Sequence, residues 1–211
     1  MKKYLILLAA LVCGINIQEK KNLGAAISLL PTYQQNGTKY KTIDGKTLCP
    51  YKLFEQAGWN AMRVRLFVDP ANAPRNNKDE GVCQDLPYVV SLCKQIKKHG
   101  FKLMLDFHYS DTWADPGKQF TPHAWAKAIE GKSRDEQTRI LADSVYRHTK
   151  TALEALNKAG ATPDFIQVGN EITFGTLWPT GKVDPTKDNN WDTLLTFLRA
   201  GVRACREACP K

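Results

Sequence analysis

Hydrophobic and polar positions repeat along this chain in a fixed order. Three times a stretch with helical spacing ends at a glycine, and a short apolar, β-branched run follows it. The glycines are Gly58, Gly100 and Gly160. The composition of the three runs predicts β-strands over residues 61–68, 102–108 and 164–169, and the extended segment 23–28 can open the series as a first strand.

Apolar residues between and after these runs recur at the spacing of amphipathic helices. Strands that alternate with helices predict a parallel sheet with right-handed crossovers. No GxGxxG or GxxxxGK[ST] sequence follows a strand, which disfavours a nucleotide-binding doubly wound fold. The predicted fold class is therefore α/β, a (β/α)8 TIM barrel of which residues 15–211 supply about the first four β/α units. The helical stripes are Leu86, Val89, Val90, Cys93 and Ile96; Ile140, Leu141, Val145, Leu153 and Leu156; and Trp191, Leu194, Leu195, Leu198, Val202 and Cys205.

The number of β/α units sets an expectation about completeness. A barrel of this kind typically needs about 250 residues, whereas the chain has 211. A sheet of four units would have two open edges. We therefore expect a truncated product, or a chain that pairs with a second polypeptide, unless the strand count misses an element.

The N-terminal segment, residues 1–14, has a different pattern from the rest. Two lysines precede the apolar run 4–12, and small residues allow cleavage after Gly14. This pattern predicts a secretory signal, and the run is too short to span a bilayer. We expect a secreted, periplasmic or cell-surface protein. Lipid attachment at Cys13 is the alternative, which the large residues just before it fit poorly.

Composition narrows the function classes without choosing one. The chain is 43% hydrophobic and 24% charged, which excludes intrinsic disorder. Its net charge of +9 allows attraction to polyanions, but the basic residues do not cluster in one segment, so we expect no nucleic-acid partner. Six cysteines without CxxC spacing disfavour both a disulfide scaffold and a cysteine metal site.

Chemistry in a parallel barrel collects where the strands end. Arg63 and Arg65 lie two apart and so share one face of the second strand. Because a parallel barrel strand has no solvated face, we expect Arg65, near the strand end, to be functional, and Arg63 to be a buried partner for a carboxylate.

The third strand ends in a dense cluster of ionisable and aromatic groups, residues 106–117. Asp106 and His108 face the same side, and with the nearby His123 they are possible metal ligands. No HxH or HExxH spacing occurs. We therefore expect no metal, and a metal-dependent barrel hydrolase is the minority alternative.

The fourth strand ends in an amide followed directly by a carboxylate, Asn170 and Glu171. Glycosidic cleavage needs a protonated acid beside the leaving oxygen and a polar group that holds the sugar hydroxyls. The pair supplies both. The alternative is that Glu171 caps the next helix or pairs with Arg65.

Several tryptophans fall outside the periodic apolar stripes. Trp113, Trp125 and Trp178 lie in predicted loops or at loop edges, where their rings can stack on the apolar faces of sugars. Trp59 and Trp191 lie at element boundaries, where packing is the expected role.

Four stretches of the sequence resemble glycoside hydrolase family 53, the endo-β-1,4-galactanases that cut the galactan chains of type I arabinogalactan. They are LGAAISLLPTY at 23–33, RVRLFVDP at 63–70, LMLDFHYSDTWADPGKQ at 103–119 and FIQVGNEITFGTLWPTG at 165–181. The resemblance implies a retaining barrel enzyme without a cofactor, in which Glu171 is the acid/base and Asn170 holds the 2-hydroxyl of the sugar being cleaved. By the same resemblance the substrate cleft is lined by Arg65, His108, Asp111, Trp113 and Trp178.

The resemblance also implies that the first four β/α units lack one of the two catalytic residues. The family nucleophile is a second Glu on strand seven, and a retaining mechanism needs two carboxyl groups about 5–5.5 Å apart. We therefore expect the chain alone to be inactive and a complementing C-terminal half to restore activity. A non-catalytic galactan-binding remnant is the second alternative.

Three positions depart from the family pattern. Ala26 stands where members usually carry Asp, and Phe67 and Asp69 stand where Trp and Asn are common. The loss of the Asp removes a charge beside the predicted cleft, which is expected to loosen the interactions of Arg65.

Overall fold

The computed structural model describes residues 21–184, 186 and 190–210. The predictions for residues 1–14 and for Cys13 lie outside the described residues. Within the described ranges, no helix is both long enough and apolar enough to cross a membrane.

Four parallel strands form one sheet in the order of the sequence. They are β1 (Gly24–Ala26), β2 (Ala61–Leu66), β3 (Lys102–Phe107) and β4 (Phe165–Val168). The register places Arg65 opposite Asp106, which in turn lies opposite Gln167. The predicted α/β architecture of four β/α units is thus confirmed.

The strands end earlier than the sequence predicts, because their last residues enter loops. The Phe67 backbone N–H donates to the Gln84 carbonyl rather than to a strand. Tyr109 has φ +50° and turns the chain sharply just after β3. Its hydroxyl lies 2.7 Å from Thr149 Oγ1 in the core, which anchors that turn.

Helices alternate with the strands, and the three long ones lie where the apolar stripes predict them. The N-terminus of the longest is closed by a capping box in which Ser133 and Glu136 exchange hydrogen bonds. Each predicted glycine stop follows a helix and has a φ between +67° and +80°. The helices are α1 (Leu30–Gln35), α2 (Pro50–Gln56), α3 (Arg75–Asp79), α4 (Leu86–Lys98), α5 (His123–Ala128), α6 (Arg134–Lys158) and α7 (Trp191–Ala208), with short 3-10 turns at Pro70–Asn72 and Ile172–Phe174.

The hydrophobic core lies between the sheet and its covering helices. Met62, Val64 and Leu66 alternate along β2 and are at most 1% exposed, and Leu103 and Leu105 of β3 are fully buried. They belong to one cluster with residues of α4, α6 and α7. This face of the sheet is complete within the described residues.

The opposite face of the sheet is only half covered. Ala61, Arg63 and Arg65 alternate with the buried residues of β2 and are partly accessible. On β4, Phe165 is 42% exposed. A hollow of about 390 Å³, lined partly by Met104 and Phe165, lies against this face. In a closed barrel this side faces the interior, so we call it the barrel face.

Helix α7 approaches β4 closely because it carries a glycine at the contact. A Cβ on Gly201 would lie 2.6 Å from Val168 Cγ1 and 2.9 Å from the Tyr109 hydroxyl. The missing side chain therefore lets α7 press the end of β4, and so the loop that follows it, against the core.

Candidate active site

The centre of the site is a buried arginine that joins two strand ends. Arg63 Nη2 donates to Asp106 Oδ2 at 2.5 Å and to Asn170 Oδ1 at 2.7 Å. Asp106 is fully buried, and the Arg63 side chain is 24% exposed. The prediction that Arg63 is the buried partner of a carboxylate is confirmed.

Asn170 is held at both ends of its side-chain amide. Nδ2 donates to the Ala114 carbonyl at 2.7 Å, and Oδ1 accepts from Gln167 at 3.2 Å as well as from Arg63. These partners fix which end is oxygen and which is nitrogen. Asn170 is 5% exposed, so its predicted contact with a sugar hydroxyl stays a prediction.

Glu171 follows at once and is exposed. It adopts the left-handed conformation, with φ +50° and ψ +45°, at the start of the 3-10 turn that ends at Phe174. Gly169, with φ +91°, makes the preceding turn; a Cβ there would meet Ile172 Cγ2 at 2.9 Å. The Glu171 side chain caps no helix, and it pairs with no cation in the described part of the chain, so neither structural alternative is observed.

Gln119 is a site residue that sequence reasoning missed. Its side chain is buried in the loop after β3, and Nε2 donates to the carbonyls of Asn170 at 2.8 Å, Asp115 at 3.2 Å and Glu171 at 3.3 Å. It lies inside one of the family-like stretches, but the tertiary contact with residues more than 50 positions away carries no local signal.

His108 is buried and faces Asp106. Nδ1 accepts from the Ala114 backbone N–H at 2.9 Å, so the proton of the neutral ring is on Nε2, which lies 3.2 Å from Asp106 Oδ2. Burial lowers the pKa of His108 and outweighs the opposing effect of Asp106. A neutral, internally engaged imidazole is thus a support for the site.

The metal alternative at Asp106 and His108 does not fit this geometry. The guanidinium of Arg63 occupies the position beside Asp106 that a cation would take. Across the described ranges, no group of three His, Cys, Asp or Glu side chains is arranged to hold a metal ion.

Asp111 links the loop after β2 to the start of α5 through hydrogen bonds. Its two carboxylate oxygens accept the backbone N–H groups of Asp69 at 3.0 Å and of His123, at the start of α5, at 2.7 Å. Burial raises its pKa, and these two hydrogen bonds oppose the rise. It is 7% exposed, and its predicted place on the cleft wall stays a prediction.

Arg65 and Trp113 form a stacked pair at the mouth of the barrel face. The Arg65 guanidinium lies 5.3 Å from the centre of the Trp113 ring, and Phe67 packs edge-on against the same indole at 5.0 Å. Burial and the neighbouring Arg63 lower the pKa of Arg65. Phe67 therefore supports the indole that the cleft is expected to use.

Trp178 lies at the same edge, in the loop after β4. Its Nε1–H donates to the Phe174 carbonyl at 2.9 Å, and Lys182 Nζ lies 4.5 Å from its ring centre. Trp125 is different: it lies in α5, partly buried against the core and edge-on to His148. The sequence predicts Trp125 in a loop or at a loop edge; it lies in the first turn of α5, at the edge of a loop, and its ring fills the space between α5 and α6.

Comparison with known proteins identifies the family. The family model described as glycosyl hydrolase family 53 matches residues 22–211. The chain belongs to this family. The match includes Arg65, near the end of β2, and the loops after β3 and β4 that carry His108 and Glu171.

Family 53 relatives are similar over nearly the whole chain but are longer. An arabinogalactan endo-beta-1,4-galactanase of Cellvibrio japonicus is 34% identical over 98% of this chain and 50% of its own length. A probable arabinogalactan endo-beta-1,4-galactanase A of Aspergillus fumigatus is 35% identical over 88% and 46%. The chain thus spans about half the length of these relatives.

Solved structures give the same picture. The GH53 catalytic domain of Ignisphaera aggregans matches with a TM-score of 0.74 and 33% identity, over 89% of this chain and 48% of that one. A structure described as one of two fungal beta-1,4-galactanases matches with a TM-score of 0.73 and 29% identity, over 89% and 50%. These neighbours confirm the TIM-barrel fold class, with the chain covering about half of it.

Proposed function

We propose that this chain forms the acid/base half of a retaining endo-β-1,4-galactanase site, which cleaves internal β-1,4-galactosidic bonds of galactan and type I arabinogalactan. The observation that carries the proposal is Glu171, an exposed carboxylate at the end of β4 next to an amide held by Arg63. Function in this fold collects at that edge. The names of the family 53 relatives support the substrate class.

The local geometry supports Glu171 as proton donor and argues against a second carboxylate from the same residues. Retention needs a nucleophile about 5–5.5 Å from the acid/base. Asp106 is fully buried and bound to Arg63, and both oxygens of Asp111 accept backbone N–H groups. Neither is free to attack an anomeric carbon. We propose that the nucleophile comes from a C-terminal half of the barrel and that residues 1–211 alone are inactive.

The remaining site residues have proposed roles in binding. Arg65 and Trp113 present a stacked surface at the mouth of the barrel face, and Trp178, in the loop after β4, presents a second indole. Asn170, His108 and Asp111 keep this surface in place through the hydrogen bonds described above. The chemistry proposed at these residues needs no metal or cofactor, so a chelator should have no effect at this site itself.

The test is release of reducing ends from β-1,4-galactan. The purified chain is assayed alone and together with the C-terminal half of a family 53 galactanase. Activity is expected only from the mixture, and Glu171→Gln should reduce it by about 10²- to 10⁴-fold. Glu154→Gln, on the exposed face of α6, is the matched control and should behave as wild type.

Two results would overturn the proposal. If the chain alone cleaves galactan, another carboxylate among its own residues serves as the nucleophile. If the mixture binds galactan without cleaving it, or if Glu171→Gln retains full activity, the chain is a binding module or uses a different acid.

We propose in addition that residues 1–14 direct export. N-terminal sequencing of the exported protein should begin at Ile15. Incorporation of labelled palmitate at Cys13 would instead show that the protein is a lipoprotein.

A further inference from the structure

The conformation of Glu171 needs an external support. Its φ of +50° and ψ of +45° lie in the left-handed region, which residues with a Cβ rarely adopt. The side chain that leaves this backbone is exposed and has no hydrogen-bond or ion-pair partner among the described residues. Its direction is therefore set by the two peptide groups that flank its Cα.

Gln119 holds both of these peptide groups. Its Nε2 donates to the carbonyl of Asn170, before the Glu171 Cα, and to the carbonyl of Glu171, after it. A single donor that bridges two consecutive carbonyls restricts φ and ψ of the residue between them. No other side chain in the described ranges donates to these two carbonyls.

The support is itself anchored. The backbone carbonyl of Gln119 accepts the Trp178 N–H at 2.7 Å, and Thr121 Oγ1 donates to the Trp178 carbonyl at 2.8 Å. The loop after β3 is thus joined to the far end of the loop that contains Glu171. Nε2 also donates to the Asp115 carbonyl of its own loop at 3.2 Å, so the position of Gln119 does not rest on Glu171 alone.

The Gln119 side-chain oxygen, Oε1, differs from Nε2 in its hydrogen bonding. Gln119 is 1% exposed, and Oε1 is buried without a hydrogen-bond partner among the described residues. A buried polar atom without a partner carries a cost that needs an explanation. Donation by Nε2 to three carbonyls, two of which flank the Glu171 Cα, is that explanation.

We propose that Gln119 is the positioning residue that holds Glu171 in its proton-donating orientation. This inference rests on the proposed function of Glu171 as acid/base. Gln119 acts through the backbone of residues 170 and 171 and does not contact the substrate.

The first test detects the hydrogen bond to the Asn170 carbonyl by NMR and requires no enzymatic activity. Asn170–Glu171 is the only Asn-Glu pair in the sequence, so labelling Asn with carbonyl ¹³C and Glu with ¹⁵N gives a single carbonyl-to-amide NMR signal. Gln119→Met should move the Asn170 carbonyl signal upfield, since that oxygen loses a donor. Gln84→Met replaces another buried glutamine, whose side chain bonds to Gly81 and Cys83, and should leave the signal in place.

The second test reads catalysis in the chain supplemented with the C-terminal half of a family 53 galactanase. Gln119→Met is expected to lower kcat on galactan by about 10- to 100-fold, with KM within about twofold, whereas Gln84→Met should retain the wild-type kcat. If Gln119→Met does not fold, Gln119→Asn, which withdraws the donor by one methylene, replaces it in both tests.

The outcomes separate this inference from the proposed function. An unmoved carbonyl signal overturns the inference whether or not galactan is cleaved. A moved signal with an unchanged kcat shows that the hydrogen bond exists but does not position the acid, which also overturns it. A wild-type mixture that fails to cleave galactan contradicts the proposed function, and the inference with it, while the NMR signal still reports the hydrogen bond.

Discussion

The two faces of the sheet differ in what completes them. On the helix side, Val64 and Leu105 are fully buried by the chain's own helices. On the barrel face, Arg63, Arg65 and Met104 are partly accessible beside an open hollow. Alternate residues of each strand point to opposite faces of the sheet. The residues on one face stabilise the fold by forming the core, and the residues on the other face form the site.

The largest expected effect tests this separation at two adjacent residues of β3. Leu105→Ala should lower the free energy of unfolding by about 2–5 kcal/mol, because it leaves a cavity in a closed core. Met104→Ala, on the barrel face, should cost about 1 kcal/mol. Urea unfolding measures both, and equal losses would show that the faces are packed alike.

The next effect concerns the charged pair at the end of the barrel face. Arg63→Met should cost roughly 2–4 kcal/mol, since it leaves the buried Asp106 carboxylate unpaired; the partial exposure of Arg63 reduces the effect. Arg63→Met combined with Asp106→Leu should recover most of the loss in urea unfolding. No recovery in the double variant would mean that Arg63 stabilises the protein mainly through Asn170.

A third effect concerns protonation on the helix side. His148 is enclosed by Phe107, Tyr109 and Trp125, and burial lowers its pKa from 6.5 to about 4. The unfolded state therefore takes up the proton first, and stability falls as the pH drops from about 6.5 towards 4.

Between pH 7 and pH 5 this group should cost roughly 2 kcal/mol. His148→Phe should remove that part of the pH dependence of urea unfolding. The lowered pKa of His108 acts in the same direction, so a smaller slope should remain. An unchanged slope in the variant would show that His148 is not responsible.

The smallest effect lies at the rim. Lys182→Ala removes the ammonium above the exposed side of Trp178 and should cost at most about 1 kcal/mol in thermal or urea unfolding. A larger loss would indicate that the β4 loop, rather than the core, limits stability.

Much of the fold follows from the sequence because its periodicities are strong. The stripe from Leu86 to Ile96 predicts α4, since its apolar residues face one core. The continuous apolar run 102–108 predicts β3, in which Leu103 and Leu105 face that core and Met104 faces the other side. Strand ends are less predictable. Phe67 continues the apolar pattern of β2, but its backbone N–H donates to the Gln84 carbonyl in a loop and not to a neighbouring strand.

The site divides in the same way. The placement of Arg65, Asn170 and Glu171 at one edge follows from their positions at the ends of parallel strands. The role of Gln119 and the packing of Trp125 do not, because each depends on contacts with distant residues. Loop residues are located by such contacts, which leave no periodic trace in the sequence.

The most direct test of Glu171 as the acid/base compares two substrates for Glu171→Ala in the chain supplemented with the C-terminal half of a family 53 galactanase. If Glu171 is the acid, its loss should lower kcat/KM on galactan by about 10²- to 10⁴-fold. It should lower glycosyl transfer from a dinitrophenyl β-galactobioside far less, because that leaving group needs no proton. Equal losses on the two substrates would contradict the assignment of Glu171 as the acid/base.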